Sequence, residues 1–227
     1  MAGIITHMEI ANKIMKALPE GTITNEELFL LGSMAPDAVR IRKDKKHSHM
    51  KDNTTDTDFI KEENLKIFHK RVENFIKEYT TEDKNLMDLY RGFIVHVLSD
   101  ELFLLHVRPD FIIKMDKLGI ASTDIEFRDK ILYDLDAHDY TILRNSSDLK
   151  EKCRLLKDTK PIAIGDFVSA ELLGNEIKWV QDKYIDQGNK AVEPIYISYD
   201  NICTFISNAV DNIIRRLSDG KDFPRMF

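Results

Sequence analysis

The chain contains little cysteine, glycine or proline. Its 227 residues include nine glycines, six prolines and two cysteines, Cys153 and Cys203. Two cysteines without a Cys-x-x-Cys pattern exclude a cysteine-rich zinc module and the disulfide framework of a small secreted protein. The low glycine and proline content argues against a collagen-like, low-complexity or loop-dominated chain.

An excess of positive charge and a long apolar run are also missing. Lys plus Arg number 33 against 39 Asp plus Glu, which gives a formal net charge of -6. This acidic balance argues against a stable nucleic-acid partner and against a polybasic membrane anchor. The most apolar stretch, GFIVHVLSDELFLLHV, contains charged and imidazole side chains, so we expect no transmembrane segment. The start of the chain lacks the pattern of a secretory signal, and we expect a cytoplasmic protein.

What the chain does contain is helical periodicity along most of its length. The capping boxes Thr6-x-x-Glu9 and Thr24-x-x-Glu27 indicate the starts of the first two helices. Further helices are predicted over 59–79, 85–105, 122–143 and 198–217. Weaker ones are predicted over 167–173, ended by Gly174, and over 176–186.

The remaining segments show no helical period. Residues 35–58 are charged and aperiodic, which predicts a long loop, and the only strand-like alternation, 191–196, is interrupted by Pro194. No linker divides the chain. The sequence therefore predicts an all-α, single-domain multi-helix bundle over residues 1–227.

Histidine and aspartate occupy apolar helical faces. His96 and Asp100 are four residues apart on the face that carries Leu89 and Phe93, and His7 falls on the inner face of the first helix. A buried aspartate needs a cation, a metal or a donor network. The pattern predicts either a metal site between helices or hydrogen-bonded core histidines.

The segment HVLSDELFLLH has the spacing His-x3-Asp-x5-His and follows Gly92. It resembles the zinc-dependent phospholipases C and the related fungal single-strand nucleases, which are all-helical. An early histidine, a Pro-Asp in a loop and a further histidine complete the resemblance, which is clearest over residues 1–106. The matching residues, in chain order, are His7, Asp37, His49, His96, Asp100 and His106.

The resemblance implies a cluster of two or three Zn²⁺ ions, with other divalent metals as alternatives. By this resemblance Asp37, His49, His96 and Asp100 hold one ion, Asp100 bridges to a second that His7 binds, and His106 holds a third. Such a centre activates a water that attacks phosphorus, and Asp37 is the candidate to orient it. The expected activity is hydrolysis of a phosphoric ester, with a small phosphate ester or a phospholipid headgroup as substrate.

Two departures from the family pattern concern the remaining ligands. The family completes its third site with a later His-x3-Glu or His-x3-Asp pair, whereas this chain has the reversed Asp134-x3-His138. That pair could substitute, or the third site could be absent. The secreted enzymes also use a free amino terminus as a ligand beside the early histidine. In this chain the ligand beside His7 is expected to be water or another side chain, or to be absent.

Other readings remain open. His47 could replace His49 as a ligand, and the basic residues between Asp37 and His49 could contact a phosphorylated substrate. An alternative function is a non-catalytic metal-binding helical domain with a structural, sensory or partner-binding role. A third is a histidine-aspartate phosphohydrolase, for which His138-Asp139 is the only adjacent His-Asp pair.

Overall fold

The computed structural model describes residues 2–40, 42–186 and 192–227, which contain eleven α-helices and no strand. The predicted all-α class is confirmed. A 3-10 turn follows α2 at Ala35–Ala38, a second follows α9 at Leu156–Asp158, and a π-helix at Gln181–Asp186 follows α10. The α-helices are α1 (Ile4–Ala17), α2 (Glu26–Met34), α3 (Arg42–Ser48), α4 (Asp56–Phe59), α5 (Glu62–Tyr79), α6 (Lys84–His106), α7 (Arg108–Lys117), α8 (Ile125–Asn145), α9 (Ser147–Leu155), α10 (Ala170–Val180) and α11 (Tyr199–Ser218).

The centre of the bundle is α6. Between Met87 and Leu104 nearly every residue of α6 is buried, and the helix contacts α1, α2, α5, α7 and α11. A helix buried on all sides must find internal partners for its polar side chains. Within the described part of the chain, no helix is both long enough and apolar enough to cross a membrane.

α2 and α6 cross at unusually short distance because a glycine of each helix faces the other. A Cβ on Gly92 would lie 2.0 Å from the backbone oxygen of Phe29, and a Cβ on Gly32 would lie 2.1 Å from the backbone oxygen of Leu89. Any larger side chain would push the two backbones apart. The crossing therefore fixes the end of α2 against the middle of α6.

Two sequence-based expectations for local structure are wrong. Residues 35–58, expected as a long loop, contain a 3-10 turn, α3 and α4. Their helices are short and mainly polar, so they lack the apolar repeat that marks a longer amphipathic helix. Gly174, expected to end a helix, lies inside α10. A Cβ at this position would contact only Pro161, at 3.5 Å. Of the strand-like segment, Ala191 lies outside the described residues and 192–196 form no strand.

The start of α1 also differs from the expected capping box. The helix begins at Ile4, and Thr6 lies in its first turn. The cap comes instead from α8, where the Asp139 carboxylate accepts hydrogen bonds from the backbone N–H groups of Ile5 and Thr6 and from the Thr6 hydroxyl. Gly3 leaves room for this carboxylate, because a Cβ there would lie 2.4 Å from Asp139 Oδ1. This contact sets the position of His7, one residue further along.

Candidate metal centre

Five of the predicted ligands meet at one place inside the bundle. α1 carries one of them, the first 3-10 turn carries a second, the residue after α3 is a third, and α6 supplies two. Four are buried, and the Asp37 side chain is 12% exposed. The five residues are His7, Asp37, His49, His96 and Asp100.

Donor atoms around His49 lie at the separations expected for a zinc shell. Its Nε2 is 3.4 Å from Asp37 Oδ1, 3.8 Å from Asp100 Oδ2 and 3.3 Å from His96 Nε2. Ligands about 2.0–2.2 Å from a tetrahedral Zn²⁺ are separated from each other by roughly 3.3–3.5 Å. His49 Nε2 therefore lies at or near ligand-to-ligand distance from three other donor atoms, and His49, His96 and Asp100 together form one group able to hold an ion.

The hydrogen bonds made by Nδ1 of His96 and of His49 show which ring nitrogens are free to bind a cation. Nδ1 of His96 donates to the backbone oxygen of Ser33 at 2.8 Å, and Nδ1 of His49 donates to the backbone oxygen of Lys45 at 2.7 Å. In each neutral ring the proton is on Nδ1, so Nε2 carries a lone pair. Two lone pairs thus face each other at 3.3 Å. A cation between them removes this repulsion.

His7 is held in the same way. Its Nδ1 is 2.7 Å from the hydroxyl of Ser99, which itself donates to the backbone oxygen of His96, so the hydroxyl accepts from His7. Nε2 of His7 is buried without a hydrogen-bond partner among the described residues and lies 3.4 Å from Asp100 Oδ1. A buried nitrogen left in this state fits a metal ligand oriented by an outer partner.

The protonation states also suit a metal. Burial, reinforced by the neighbouring His7, lowers the pKa of His96 well below its ordinary value, and burial lowers the pKa of His49. For Asp37 and Asp100 burial acts to raise the pKa, but Lys45 and Lys51 respectively help to hold it well below the ordinary value. Neutral imidazoles and ionised carboxylates are the forms that bind Zn²⁺.

Two lysines pair with the carboxylates of the centre. Lys45 is among the basic residues that the sequence suggested as contacts for a phosphorylated substrate, whereas sequence reasoning did not assign Lys51 any role. Lys45 Nζ is 2.8 Å from Asp37 Oδ1, and Lys51 Nζ is 2.9 Å from Asp100 Oδ2. The only sequence signal was their position in the basic segment around His49. The Lys51–Asp100 ion pair joins α6 to a segment about fifty residues away, which no local pattern encodes, whereas Lys45 and Asp37 are only eight residues apart.

Three predicted ligands are not part of this cluster. His106 is exposed at the end of α6, beside a cavity of about 230 Å³. Asp134 accepts hydrogen bonds from three consecutive backbone N–H groups, of residues 195–197. His138 is buried against Tyr199, and neither ring nitrogen has a hydrogen-bond partner among the described residues. The third site stays a prediction.

The remaining polar candidates have other contacts. His47 stacks on Phe167 and lies 3.2 Å from Asp52. Arg40 pairs with Glu176 at 2.6 Å and lies over the ring of Trp179. The segment between Asp37 and His49 contains further basic residues. The side chains of residues 42 and 43 lie outside the described part of the structure.

A sequence model described as zinc dependent phospholipase C matches residues 6–191. The chain belongs to this family. The match confirms the resemblance and extends it well beyond residue 106, across α8, which carries Asp134 and His138. Neither a curated protein nor a solved structure matches the chain.

Proposed function

We propose that this family member is a zinc-dependent phosphoric ester hydrolase of the phospholipase C type. Its centre is the five-residue cluster of three imidazoles and two carboxylates. The observation that carries the proposal is the pair of Nε2 lone pairs of His49 and His96, which face each other at 3.3 Å beside ionised carboxylates. This donor set supports zinc more directly than a hydrogen-bonded polar core, because such a core would place a proton between the two nitrogens.

When bound, zinc supplies a water that is deprotonated near neutral pH and a positive charge beside the phosphoryl oxygens. Asp37 is the ligand that reaches the surface of the cluster, with a side chain 12% exposed, and Lys45 beside it is 28% exposed. Asp37 therefore orients the attacking water as a hydrogen-bond acceptor. Lys45 offers an ammonium group to an oxygen of the substrate phosphate at the same opening.

The proposed substrate is a small phosphate ester or the headgroup of a phospholipid, and no stable nucleic-acid partner is included. The family suggests the phospholipid. The net charge of -6 supports the exclusion of nucleic acid, since phosphate backbones bind to basic surfaces. A cytoplasmic location is part of the proposal, and the two free cysteines suit a reducing compartment.

The test pairs His49→Ala with His47→Ala. His49 lies in the cluster, whereas His47 is two residues away and 38% exposed, so the second variant controls for loss of a histidine in the same segment. Zinc content and hydrolysis of phosphomonoesters, phosphodiesters and phospholipids are measured. We expect His49→Ala to lose both and His47→Ala to keep both. A wild-type protein that binds no zinc from zinc-containing buffer would contradict the proposal.

The burial of the cluster favours one alternative, a structural metal centre. His7, His96 and Asp100 have no exposed surface. In that case zinc would be bound and would stabilise the fold, but none of the phosphoesters would be hydrolysed. The same measurements separate the two functions.

A further inference from the structure

Arg40 is an exposed arginine whose guanidinium group is held in one orientation. Its side chain is 56% exposed, and Nη2 donates a hydrogen bond to Oε2 of Glu176 at 2.6 Å. The guanidinium carbon lies 4.6 Å from the centre of the Trp179 ring. An arginine has several N–H donors, and among the described residues this group uses them only towards Glu176. Its other N–H groups are therefore available to a ligand.

Both groups that hold the guanidinium are fixed by the fold. The Glu176 side chain is 3% exposed, and the Trp179 ring packs edge-to-face on the buried Tyr184, with 5.6 Å between the ring centres. Burial of a carboxylate costs free energy that a half-exposed partner offsets only in part, so stability alone does not account for the pair. A group that is already oriented binds a ligand with little further loss of entropy.

The Arg40–Glu176 pair lies beside the opening of the proposed centre, where Asp37 and Lys45 reach the surface. Arg40 follows Asp37 by three residues, so their Cα atoms are at most roughly 11 Å apart. α10, which carries Glu176, packs against the 3-10 turn that carries Asp37. Burial raises the pKa of Glu176 to about 7, and the nearby charges of Asp37 and Lys45 also act on it. One small headgroup can therefore span from the centre to Arg40.

The positive charge at this opening is only partly balanced by the protein. Lys45 offsets the charge of Asp37. Because burial raises the pKa of Glu176 to about 7, this carboxylate is incompletely ionised at neutral pH and offsets only part of the Arg40 charge. A bound zinc ion adds further positive charge. The opening therefore attracts a ligand that carries more than one negative group.

We propose that Arg40 binds a second oxyanion, a carboxylate or a further phosphate, on the substrate of the centre. The inference rests on the proposed function and narrows its substrate class to phosphate esters that carry another negative group near the scissile phosphate. The planar guanidinium binds carboxylate and phosphate in the same way, through parallel N–H donors. Glu176 is a positioning residue, because it acts only through the orientation of Arg40.

The test compares two pairs of compounds, and the members of each pair differ only by a carboxylate. In the soluble pair, binding of phosphoserine and phosphoethanolamine to the zinc-loaded full chain is measured by isothermal titration calorimetry. In the lipid pair, hydrolysis of phosphatidylserine and phosphatidylethanolamine in mixed micelles is measured. The wild type is expected to favour the serine compound of at least one pair by about 10- to 100-fold, the effect of a hydrogen bond to a charged group. The pair that shows this preference tells whether the oxyanion belongs to a soluble ester or to a lipid headgroup.

The variants assign the preference to Arg40. Arg40→Ala is expected to lose it and to keep its zinc. Glu176→Ala is expected to weaken it, and Glu176→Gln, which retains a hydrogen-bond acceptor, is expected to restore it. Arg154→Ala is the matched control, since Arg154 also pairs with a glutamate at 2.6 Å and is 49% exposed, but lies on α9, which carries no ligand of the cluster. This control is expected to behave as the wild type.

The outcomes separate the inference from the proposed function. A wild type that hydrolyses phosphoesters without favouring either serine compound overturns the inference and leaves the zinc hydrolase standing. A zinc-loaded wild type that hydrolyses none of them overturns the proposed function, and the calorimetric pair then decides whether Arg40 binds an oxyanion. Equal preference in the wild type and Arg40→Ala shows that another group binds the carboxylate. If Arg40→Ala does not fold, Arg40→Gln, which can still donate to Glu176, decides in its place.

Discussion

At the scale of single residues, His138 shows how burial without a partner affects stability. Burial lowers its pKa from the ordinary 6.5 to about 4. Above pH 6.5 the ring is neutral in both the folded and the unfolded chain. As the pH falls towards 4 the unfolded chain takes up a proton that the folded chain excludes, so stability is lost over this range.

We therefore expect His138→Phe to remove this acid sensitivity. The aromatic replacement keeps a ring against Tyr199, whose ring centre lies 6.3 Å from that of His138. Between pH 7 and pH 4 the wild type should lose up to about 3 kcal/mol relative to the variant, by the conversion of pKa shifts into free energy. Urea unfolding of both metal-free proteins across this range measures the difference. A difference that does not change with pH would contradict the shifted pKa.

Also at the residue scale, the groups that hydrogen-bond to the ligands His96 and Asp100 were identified only by the structure. His96 and Asp100 could be placed on one helical face from their spacing of four. Their outer partners, the Ser33 backbone oxygen and the Lys51 ammonium, could not, because these contacts join segments far apart in the chain. Spacing within one helix reports a shared face, but it does not report what that face meets.

At the scale of secondary-structure elements, the α2–α6 crossing decides whether the centre forms. Gly92 is one turn before His96, and its close approach to Phe29 brings the Ser33 backbone oxygen to the imidazole of His96. The family resemblance includes a glycine at this place, and the structure gives the physical reason. A side chain here would separate the two helices that carry the site.

We expect Gly92→Ala to lower both stability and zinc affinity. Its Cβ would lie 2.0 Å from a backbone oxygen, so α2 must move, at a cost of about 1–3 kcal/mol or more for an overpacked core. Gly174→Ala is the matched control, since it adds the same methyl group inside α10 with only an ordinary contact at 3.5 Å. That change should be neutral or stabilising by about 0.5–1 kcal/mol. Thermal unfolding and a zinc competition assay distinguish the two variants, and equal effects would contradict the role of the crossing.

The secondary-structure elements also show where apolar periodicity fails to predict a helix. The long helices α5, α6 and α11 were predicted within a few residues, because each buries a repeated apolar face. α3 was missed because its seven residues are nearly all charged or polar. The break expected at Gly174 did not occur, since glycine lowers helix propensity by only about 1 kcal/mol and packing can outweigh it.

At the scale of the whole molecule, the proposed metal binding would be coupled to folding. The five ligands come from the first 3-10 turn, from α1 and α6, and from the turn after α3, so they are brought together only in the folded chain. A ligand that binds only the folded state stabilises it by mass action, by about 2.7 kcal/mol at a concentration 100 times the Kd. The bundle also has a large apolar core that does not depend on metal.

We expect zinc at this concentration to raise the Tm by roughly 5–10 °C, since 1 kcal/mol shifts a chain of this size by about 2–4 °C. A chelator should reverse the shift without unfolding the protein at 25 °C, because the core remains. His96→Ala should show no shift with zinc. Differential scanning calorimetry with and without chelator is the measurement. An equal shift in His96→Ala would mean that zinc binds elsewhere on the chain.

The sequence by itself determined the all-α class, the long helices and the set of candidate ligands. The class and the helices follow from local periodicity, whereas the ligand set rested on the His-x3-Asp-x5-His spacing together with the family resemblance, which added Asp37 and His49. Only the tertiary structure decided which candidates meet. It placed five of them in one buried cluster, left His106, Asp134 and His138 outside it, and brought Lys51 to Asp100. The physical reason is that ligand distance and charge balance are set by packing between elements remote in sequence, here by the glycine crossing of α2 and α6 and by the turn after α3, where Met50 has a φ of 57°.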